Sequence, residues 1–174
     1  MAILNAALRR FALSSYDEVS LRQIASDAGI DVALVGRYFE SKDKLFAIVM
    51  NELLNPQDLF FGDRATFGKR QAEAALCAEM DPNFGLAPIL AIIRSVTSPT
   101  ARPLLQKVSQ ERFTRPLAEW LGGTDAEVRA HLIAGLLSGS IVNRYIAAQE
   151  LHQPVTKARY IARLAEALQA LVDD

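Results

Sequence analysis

The sequence predicts an all-α protein of about nine helices. Apolar residues recur every three or four positions along most of the chain, which is the spacing of one helix face, and no segment shows the alternation of a β-strand. Glycine and proline residues separate the periodic segments. At 174 residues, 51% of them hydrophobic, the chain can bury a sizeable core.

Four helices are predicted in the first third of the chain. Ser20, Asp31 and Ser41 each precede a helix and can cap it, because their side-chain oxygens accept hydrogen bonds from free N–H groups of the first turn. Gly29 lies where the second helix must end sharply with a positive φ. Tyr16 is expected to pack beneath the helices that follow it. The four helices are expected at residues 2–13, 21–28, 32–38 and 42–54.

The second and third of these helices, with the glycine turn between them, match a helix-turn-helix. In that architecture the second helix lies in the major groove of DNA. The spacing alone is not specific, because helical proteins also use this arrangement as plain packing. The apolar positions of the third helix are Leu34, Val35, Tyr38 and Phe39.

Breaks at proline and glycine divide the rest of the chain into longer helices. Pro116 lies well inside one of them and is expected to kink or split it. Thr124 and Glu127 are expected to form a capping box for the helix that follows. The break after residue 54 predicts two domains, at residues 1–54 and 55–174. The longer helices are expected at residues 66–80, 84–96, 100–121, 124–151 and 155–172.

The charge balance argues against a protein that coats nucleic acid by bulk attraction. The formal net charge is −1. Residues 1–54 hold six basic and seven acidic side chains, so this part is not basic either. A DNA-reading domain of this composition needs its positive charges gathered on one face.

The apolar runs, the first residues and the cysteine content predict the cellular location of the protein. No run of 18 or more apolar residues occurs, so no membrane span is expected. The first residues predict an amphipathic helix rather than a signal peptide. The single cysteine, Cys77, cannot form an intramolecular disulfide and is expected to be a small buried residue in a reducing cytoplasm.

No catalytic pattern is visible. The two histidines are His131 and His152, and the sequence has no HExxH, CxxC, phosphate-binding glycine loop or nucleophile elbow. Glu127 and His131 are four residues apart, but two ligands are too few for a metal site. We therefore expect no enzyme, no metal and no cofactor.

The segment from Ile3 to Met50 resembles the N-terminal DNA-binding domain of the tetracycline-repressor (TetR) family of transcriptional regulators. The matching pieces are ILNAALRRFALSSYDEVSLRQIASDAGI and VALVGRYFESKDKLF, in the family's usual order and spacing. The match covers about the first third of the chain. The resemblance implies a three-helix DNA-binding domain followed by a larger helical domain for effector binding and dimerisation. It also implies a cytoplasmic bacterial regulator, a repressor released from double-stranded DNA by an unknown small-molecule effector.

The resemblance also implies which residues read DNA. Arg22 is expected to bind a guanine bidentately, and Val32 and Ala33 to contact thymine methyl groups. Lys42, at the start of the fourth helix, is expected to hold a phosphate together with free backbone N–H groups. The alternative is that the cations are ordinary surface charges and that Tyr38 is a core residue. The positions carried over are Ser20, Arg22, Val32, Ala33, Gly36, Arg37, Tyr38 and Lys42.

Gly36 departs from the family pattern, which usually has a larger residue at this position, often tyrosine. A glycine weakens a helix by about 1 kcal/mol relative to alanine. It also removes a contact to phosphate or base, so the sequence preference of relatives does not carry over to this chain.

A DNA-binding domain of this size contacts only a few base pairs, so two copies are needed on a palindromic operator. We therefore expect a homodimer. Small residues four apart, beginning at Gly135, allow two helices to approach closely, and the last helix would complete a four-helix interface. The alternative is that these residues serve internal packing. The interface candidates are Gly135, Gly139, Val142, Ile161, Ala165 and Leu168.

Apolar helices with a few polar groups predict a small-molecule cavity in the C-terminal part. In the family, the effector favours one spacing of the two reading domains and so weakens DNA binding, with the fourth helix transmitting the change. The candidate ligand residues are Arg94, Phe113, Trp120, His131, Asn143 and Tyr145.

The rival interpretation is a helical homodimer whose DNA-binding part is degenerate. Such a protein would act through a protein partner or a ligand. The acidic balance of residues 1–54 and the presence of Gly36 favour it. The salt dependence of DNA binding would distinguish the two interpretations.

Overall fold

The structure is a computed structural model that describes residues 2–54, 62–77, 87–151 and 153–174. The side chains of Cys77, residues 87–89 and Tyr145 lie outside the described part. Several predictions therefore fall wholly or partly outside the described residues. They concern the burial of Cys77, the side chains of Tyr145 and His152, and the helix ends at residues 54–56 and 78–86.

The described residues form helices and no strand, which confirms the predicted all-α fold. A 3₁₀ turn at Tyr16–Glu18 precedes the second helix, another at Arg64–Thr66 precedes the fifth, and a π-helical segment at Gln110–Thr114 joins the seventh to the eighth. The α-helices are α1 (Ala2–Leu13), α2 (Leu21–Ala28), α3 (Val32–Phe39), α4 (Lys42–Leu53), α5 (Phe67–Cys77), α6 (Ala87–Val96), α7 (Ala101–Ser109), α8 (Arg115–Leu121), α9 (Ala126–Ile146), α10 (Ala148–Leu151) and α11 (Pro154–Asp173).

The chain packs as two compact units that interleave along the sequence. The first unit holds Met1–Asn55 and Met80–Arg112, and the second holds Pro56–Glu79 and Phe113–Asp174. Helices α6 and α7 join the first unit because α6 packs along α1 and α7 packs on α4. We call α1–α4 the head. A boundary at residue 54 separates the head from the rest in sequence, whereas the packing places two later helices beside it.

Three aromatic side chains form the centre of the head. The rings of Phe11 and Tyr16 stack with centroids 5.8 Å apart, and Phe46 meets both edge-on at 5.1 and 5.0 Å. All three side chains are buried, Tyr16 with only 1% of its surface exposed. Tyr16 is buried, and its ring and hydroxyl contacts join α1, the 3₁₀ turn and α4 in one core.

The predicted helix caps of the head are confirmed. Ser20 accepts a hydrogen bond from the Gln23 N–H at 3.3 Å, and the Gln23 side chain in turn accepts one from the Ser20 N–H at 2.8 Å. The Asp31 side chain accepts from the Ala33 N–H and caps α3, and the Ser41 side chain accepts from the Lys44 N–H and caps α4. Gly29 ends α2 with a φ of +67°. These local bonds determine where α2 and α3 begin and turn.

Helices α5 and α11 of the second unit touch at a glycine. A Cβ atom added to Gly68 would lie 2.2 Å from the Ala165 carbonyl oxygen and 2.8 Å from the Gln169 nitrogen. The Gly68 N–H donates to the Gln169 side-chain oxygen at 2.9 Å. Only glycine permits this distance between the two helices.

Two arginines hold the carboxyl ends of α8 and α11 together. Arg129 is only 4% exposed, and both its guanidinium and that of Arg64 donate to backbone carbonyls rather than to carboxylates. Free carbonyls give a helix end partial negative charge, so a cation there is stabilised. The acceptor carbonyls belong to Trp120, Leu121, Gly122, Thr124, Leu171 and Val172.

Pro116 splits its helix as predicted. It lies in the first turn of α8, directly after the π-helical segment, because proline has no N–H to continue an α-helical ladder. The predicted capping box of Thr124 and Glu127 is wrong. The N-cap of α9 is Asp125, which has a left-handed φ of +53° and makes no side-chain capping bond. The following helix also ends at Ile146, before the short α10.

No helix in the described ranges has the length and apolar character needed to cross a membrane.

Gly68→Ala should destabilise the second unit by about 1–3 kcal/mol, because the added methyl group overlaps the backbone of α11. Trp120 is the single tryptophan and packs on Phe67 of α5, so its fluorescence during urea unfolding follows this unit. Gly36→Ala is the matched control. An added Cβ meets no atom there within 4 Å, so the substitution should raise the free energy of unfolding by up to about 1 kcal/mol. Circular dichroism during urea unfolding measures this change. Equal stability of Gly68→Ala and the natural protein would contradict the close approach.

Ser20→Ala should cost about 1 kcal/mol of stability, because it removes the cap of α2. This corresponds to a decrease of about 2–4 °C in Tm, measured by circular dichroism. Ser20→Asp should retain the cap and the Tm. Ser26→Ala, at an exposed position inside α2, is the control and should change stability by less than about 0.5 kcal/mol. A Tm that falls equally in the Asp variant would contradict the capping role.

Candidate nucleic-acid interface

Helix α3 lies on the surface and is fixed to the head by one face. Val35 is fully buried and Phe39, one turn later, is half-buried. Leu34 is 43% exposed and Tyr38 is 72% exposed, so these two apolar positions of α3 do not face the core of the head. These two residues lie about 100° around the helix from Val35 and Phe39, on a face that the head core does not cover. The alternative of Tyr38 as a core residue is likewise excluded.

The exposed face of α3 is mostly apolar. Val32 is 41% exposed, and Ala33 and Arg37 are also exposed. Gly36 is half-buried, and an added Cβ there would meet open space. The helix therefore presents methyl groups, a phenol and one guanidinium, interrupted by a position without a side chain.

Several carboxylates of the head are engaged within the chain. Asp27 pairs with Arg10 through two hydrogen bonds, one of them 2.6 Å long, and this pairing lowers the pKa of Asp27. Glu40 pairs with Lys44 one turn away. Hydrogen bonds from the side chain and backbone of Ser15 lower the pKa of Glu18.

The exposed cations Arg22 and Arg37 belong to neither of the head's two ion pairs within the described residues. Asp31 is occupied in capping α3. The net charge of the head therefore understates the positive charge that an approaching phosphate would meet. Several carboxylates are already paired or hydrogen-bonded, whereas the two arginines are exposed to solvent.

The Lys42 side chain is occupied inside the head, which differs from the expected phosphate contact. Its ammonium donates to the carbonyl oxygens of Tyr16 and Val19, both at 3.0 Å. It also lies 4.2 Å from the centroid of the Tyr16 ring. Two of its three N–H donors are therefore used by the turn that precedes α2.

Tyr16 is also held by the residue that follows Lys42. Its hydroxyl donates to Asp43 in the first turn of α4. Burial of the ring, together with this hydrogen bond, raises the pKa of Tyr16 above its ordinary value. The ring stays neutral at physiological pH, so the bond persists there.

The effector candidates are divided between the two units. Arg94 is exposed on α6 of the first unit, whereas Phe113, Trp120 and Asn143 are half-buried in the second unit. His131 is exposed on α9. In the described ranges, no group of three or more His, Cys, Asp or Glu side chains could hold a metal ion.

Trp120 has a structural role that the sequence did not reveal. Its ring packs on Phe67 with centroids 5.1 Å apart. The Arg64 guanidinium lies 4.8 Å from the centroid of the ring. Trp120 thereby connects α8 to the start of α5.

The candidate dimer residues divide into two groups. Gly135 and Gly139 are exposed and Val142 is half-buried on α9. Leu168 is fully buried inside the second unit, so its assignment to the interface is corrected to core. Ile161 and Ala165 are half-buried and pack against the same core.

An exposed apolar stripe on α9 was missed by the sequence analysis. It includes Leu132, 50% exposed, and Ile146, 79% exposed, in line with Gly135 and Gly139. Both faces of α9 are apolar, so periodicity alone could not show which one packs inward. The large apolar side chains of this α9 stripe are Val128, Leu132, Leu136 and Ile146.

Comparison with solved structures shows the same fold across nearly the whole chain. A TetR-family regulator from Streptomyces coelicolor A3 is 26% identical, with a TM-score of 0.64, covering 99% of this chain and 93% of that one. A transcriptional regulator from Rhodococcus sp. Rha1 is 22% identical, with a TM-score of 0.61, covering 99% and 92%. A protein from Shewanella sp. PV-4 is 18% identical, with a TM-score of 0.67, covering 95% of each chain.

Family models match both parts of the sequence. The model of bacterial regulatory proteins of the tetR family matches residues 3–49, which contain the helix-turn-helix. The model of the tetracyclin repressor-like C-terminal domain matches residues 65–172, more than half of the chain. A search of curated protein sequences finds no match. The chain therefore belongs to the tetR family of bacterial regulatory proteins and is a transcription regulator rather than an enzyme.

Proposed function

We propose that this regulator is a homodimeric repressor that binds a palindromic operator through α3 and is released by a small-molecule effector. The observation that carries the DNA-binding role is the placement of α3. Val35 fixes it to the head while Val32, Ala33 and Tyr38 face solvent. A short, capped, outward-facing second helix is what a helix-turn-helix places in the major groove.

The exposed side chains suggest how the operator is read. Val32 and Ala33 offer methyl groups that fit thymine methyls, and Arg22 at the start of α2 fits the acceptor pair of a guanine. Arg37 and Tyr38 fit phosphate contacts, which position the head without selecting a sequence. Ser20 at the N-cap and Gly36 in α3 complete the proposed surface, Gly36 by letting the backbone approach the duplex.

Selection from random double-stranded DNA tests this proposal. The natural protein should select a palindromic site and lose affinity steeply as salt rises. Arg22→Ala should lose about 1–3 kcal/mol of discrimination at one base pair of each half-site. Arg37→Ala should weaken binding to all sequences alike and reduce the salt slope by about one. Both are measured by fluorescence anisotropy at several salt concentrations.

Arg163→Ala is the control for removing an arginine, because Arg163 is exposed on α11 and pairs with Glu166 outside the head. It should leave affinity and slope unchanged. A natural protein that selects no site and shows no salt dependence would contradict the proposal. That result would favour the alternative, a helical homodimer with a degenerate head acting through a protein partner or ligand.

The α9 stripe supports dimerisation. Val128, Leu132 and Leu136 are four residues apart and Ile146 follows ten residues later on the same face, next to the small residues Gly135 and Gly139. Val142 lies at the margin of the stripe. The exposed small residues of α11 include Ala158 and Ala162. We propose that these faces of α9 and α11 meet those of a second copy in a four-helix interface.

Leu132→Glu should weaken dimerisation by roughly tenfold or more, because it places a carboxylate in the centre of the apolar interface. Sedimentation equilibrium measures the dissociation constant. Glu119→Lys, at an exposed position on α8, is the control for a charge change and should leave it unchanged. If Leu132→Glu remains as dimeric as the natural protein, the proposed interface is wrong.

Effector control would use the second unit. Phe113, Trp120 and Asn143 are half-buried there and stay the proposed ligand residues, with Tyr145 and Arg94 as untested candidates. The response would reach the head through α4. Helix α7 packs on α4, and the Arg112 guanidinium donates to the Asn51 side-chain oxygen at 2.9 Å. A ligand that binds one arrangement more tightly would shift DNA affinity by that difference.

A further inference from the structure

We propose that Lys42 is a positioning residue that fixes the start of α2 from inside the head, and that it is not a phosphate ligand. The inference rests on the proposed DNA-binding function. It concerns how Ser20 and Arg22 are held ready for DNA rather than which groups touch DNA.

The contacts of the ammonium carry this inference. Lys42 is the first residue of α4, yet its side chain reaches back over the turn that ends at Val19. Val19 is 3% exposed and directly precedes Ser20, the N-cap of α2. A hydrogen bond to the Val19 carbonyl fixes the peptide plane between Val19 and Ser20. That plane determines the direction in which α2 begins.

The Lys42 ammonium is poorly placed to bind a DNA phosphate. Two donors are held by carbonyls, and the charge is stabilised by the face of the Tyr16 ring. Moving the side chain to a phosphate would leave the carbonyls of Tyr16 and Val19 without this partner. The Tyr16 carbonyl would keep the Val19 N–H as a donor at 3.3 Å, but the loss of this hydrogen bond at the carbonyl of the buried Val19 opposes that movement.

Tyr16 extends the effect to the whole beginning of α4. Lys42 binds its backbone carbonyl and ring face, while Asp43 accepts from its hydroxyl. Two successive residues of α4 therefore hold one aromatic residue from opposite ends. A shift of the α4 N-terminus must then move the turn before α2 with it, so Lys42 also couples α4 to Arg22.

Lys42→Met tests the inference, because methionine keeps the apolar stem over the ring and removes the charge and donors. In the absence of DNA, amide hydrogen exchange at Gln23, in the first turn of α2, should become about tenfold faster. Lys44→Met, which removes an exposed lysine of the same helix turn, is the control and should leave that exchange unchanged. Unchanged exchange in Lys42→Met would overturn the inference, whether or not the protein binds DNA.

DNA binding supplies the second measurement, at a temperature where circular dichroism shows the variants folded. Lys42→Met should lose about tenfold in affinity for the selected site with the salt slope unchanged. Its loss should shrink when Arg22 is already alanine, because the two act on the same contact. Lys42→Arg should restore the preference. A slope reduced by about one, with losses additive to Arg22→Ala, would make Lys42 a phosphate ligand and overturn the inference.

These measurements separate the two ideas. Faster exchange without any salt-dependent DNA binding by the natural protein would support the positioning role of Lys42 and contradict the proposed function. Site-selective DNA binding by the natural protein, with unchanged amide exchange in Lys42→Met, would support the proposed function and contradict the positioning role of Lys42.

Discussion

The burial of Tyr16 is the constraint on which the head depends. Its ring packs between Phe11 and Phe46, its hydroxyl reaches Asp43, and its carbonyl accepts from Lys42. One side chain thereby joins α1, the turn before α2 and the start of α4. Helix α3 needs little more than the burial of Val35, so its other faces remain free for recognition.

The second unit leaves one apolar face of the long helix α9 exposed. Gly68 lets α5 lie directly on α11, and the guanidiniums of Arg64 and Arg129 satisfy the carbonyl ends of α8 and α11. These contacts stabilise the unit from the inner side of α9. Its outer apolar stripe, including Leu132, then stays available to a second copy.

Local sequence signals predicted local structure well. The caps at Ser20, Asp31 and Ser41, the left-handed Gly29 and the break before Pro116 depend only on neighbouring residues. The features that the sequence could not predict depend on distant contacts. The destination of Lys42 is set by residues 23 and 26 positions away. The inward and outward apolar faces of a helix look alike in sequence, and the affiliation of α6 and α7 with the head is a matter of packing.

The central claim is that two copies each present α3 to the major groove of one duplex. Hydroxyl-radical footprinting of the selected site tests it most directly. We expect two protected segments related by a two-fold axis, with centres about one helical turn, or about 10–10.5 base pairs, apart. A single protected segment, or protection that does not depend on the sequence of the duplex, would contradict it.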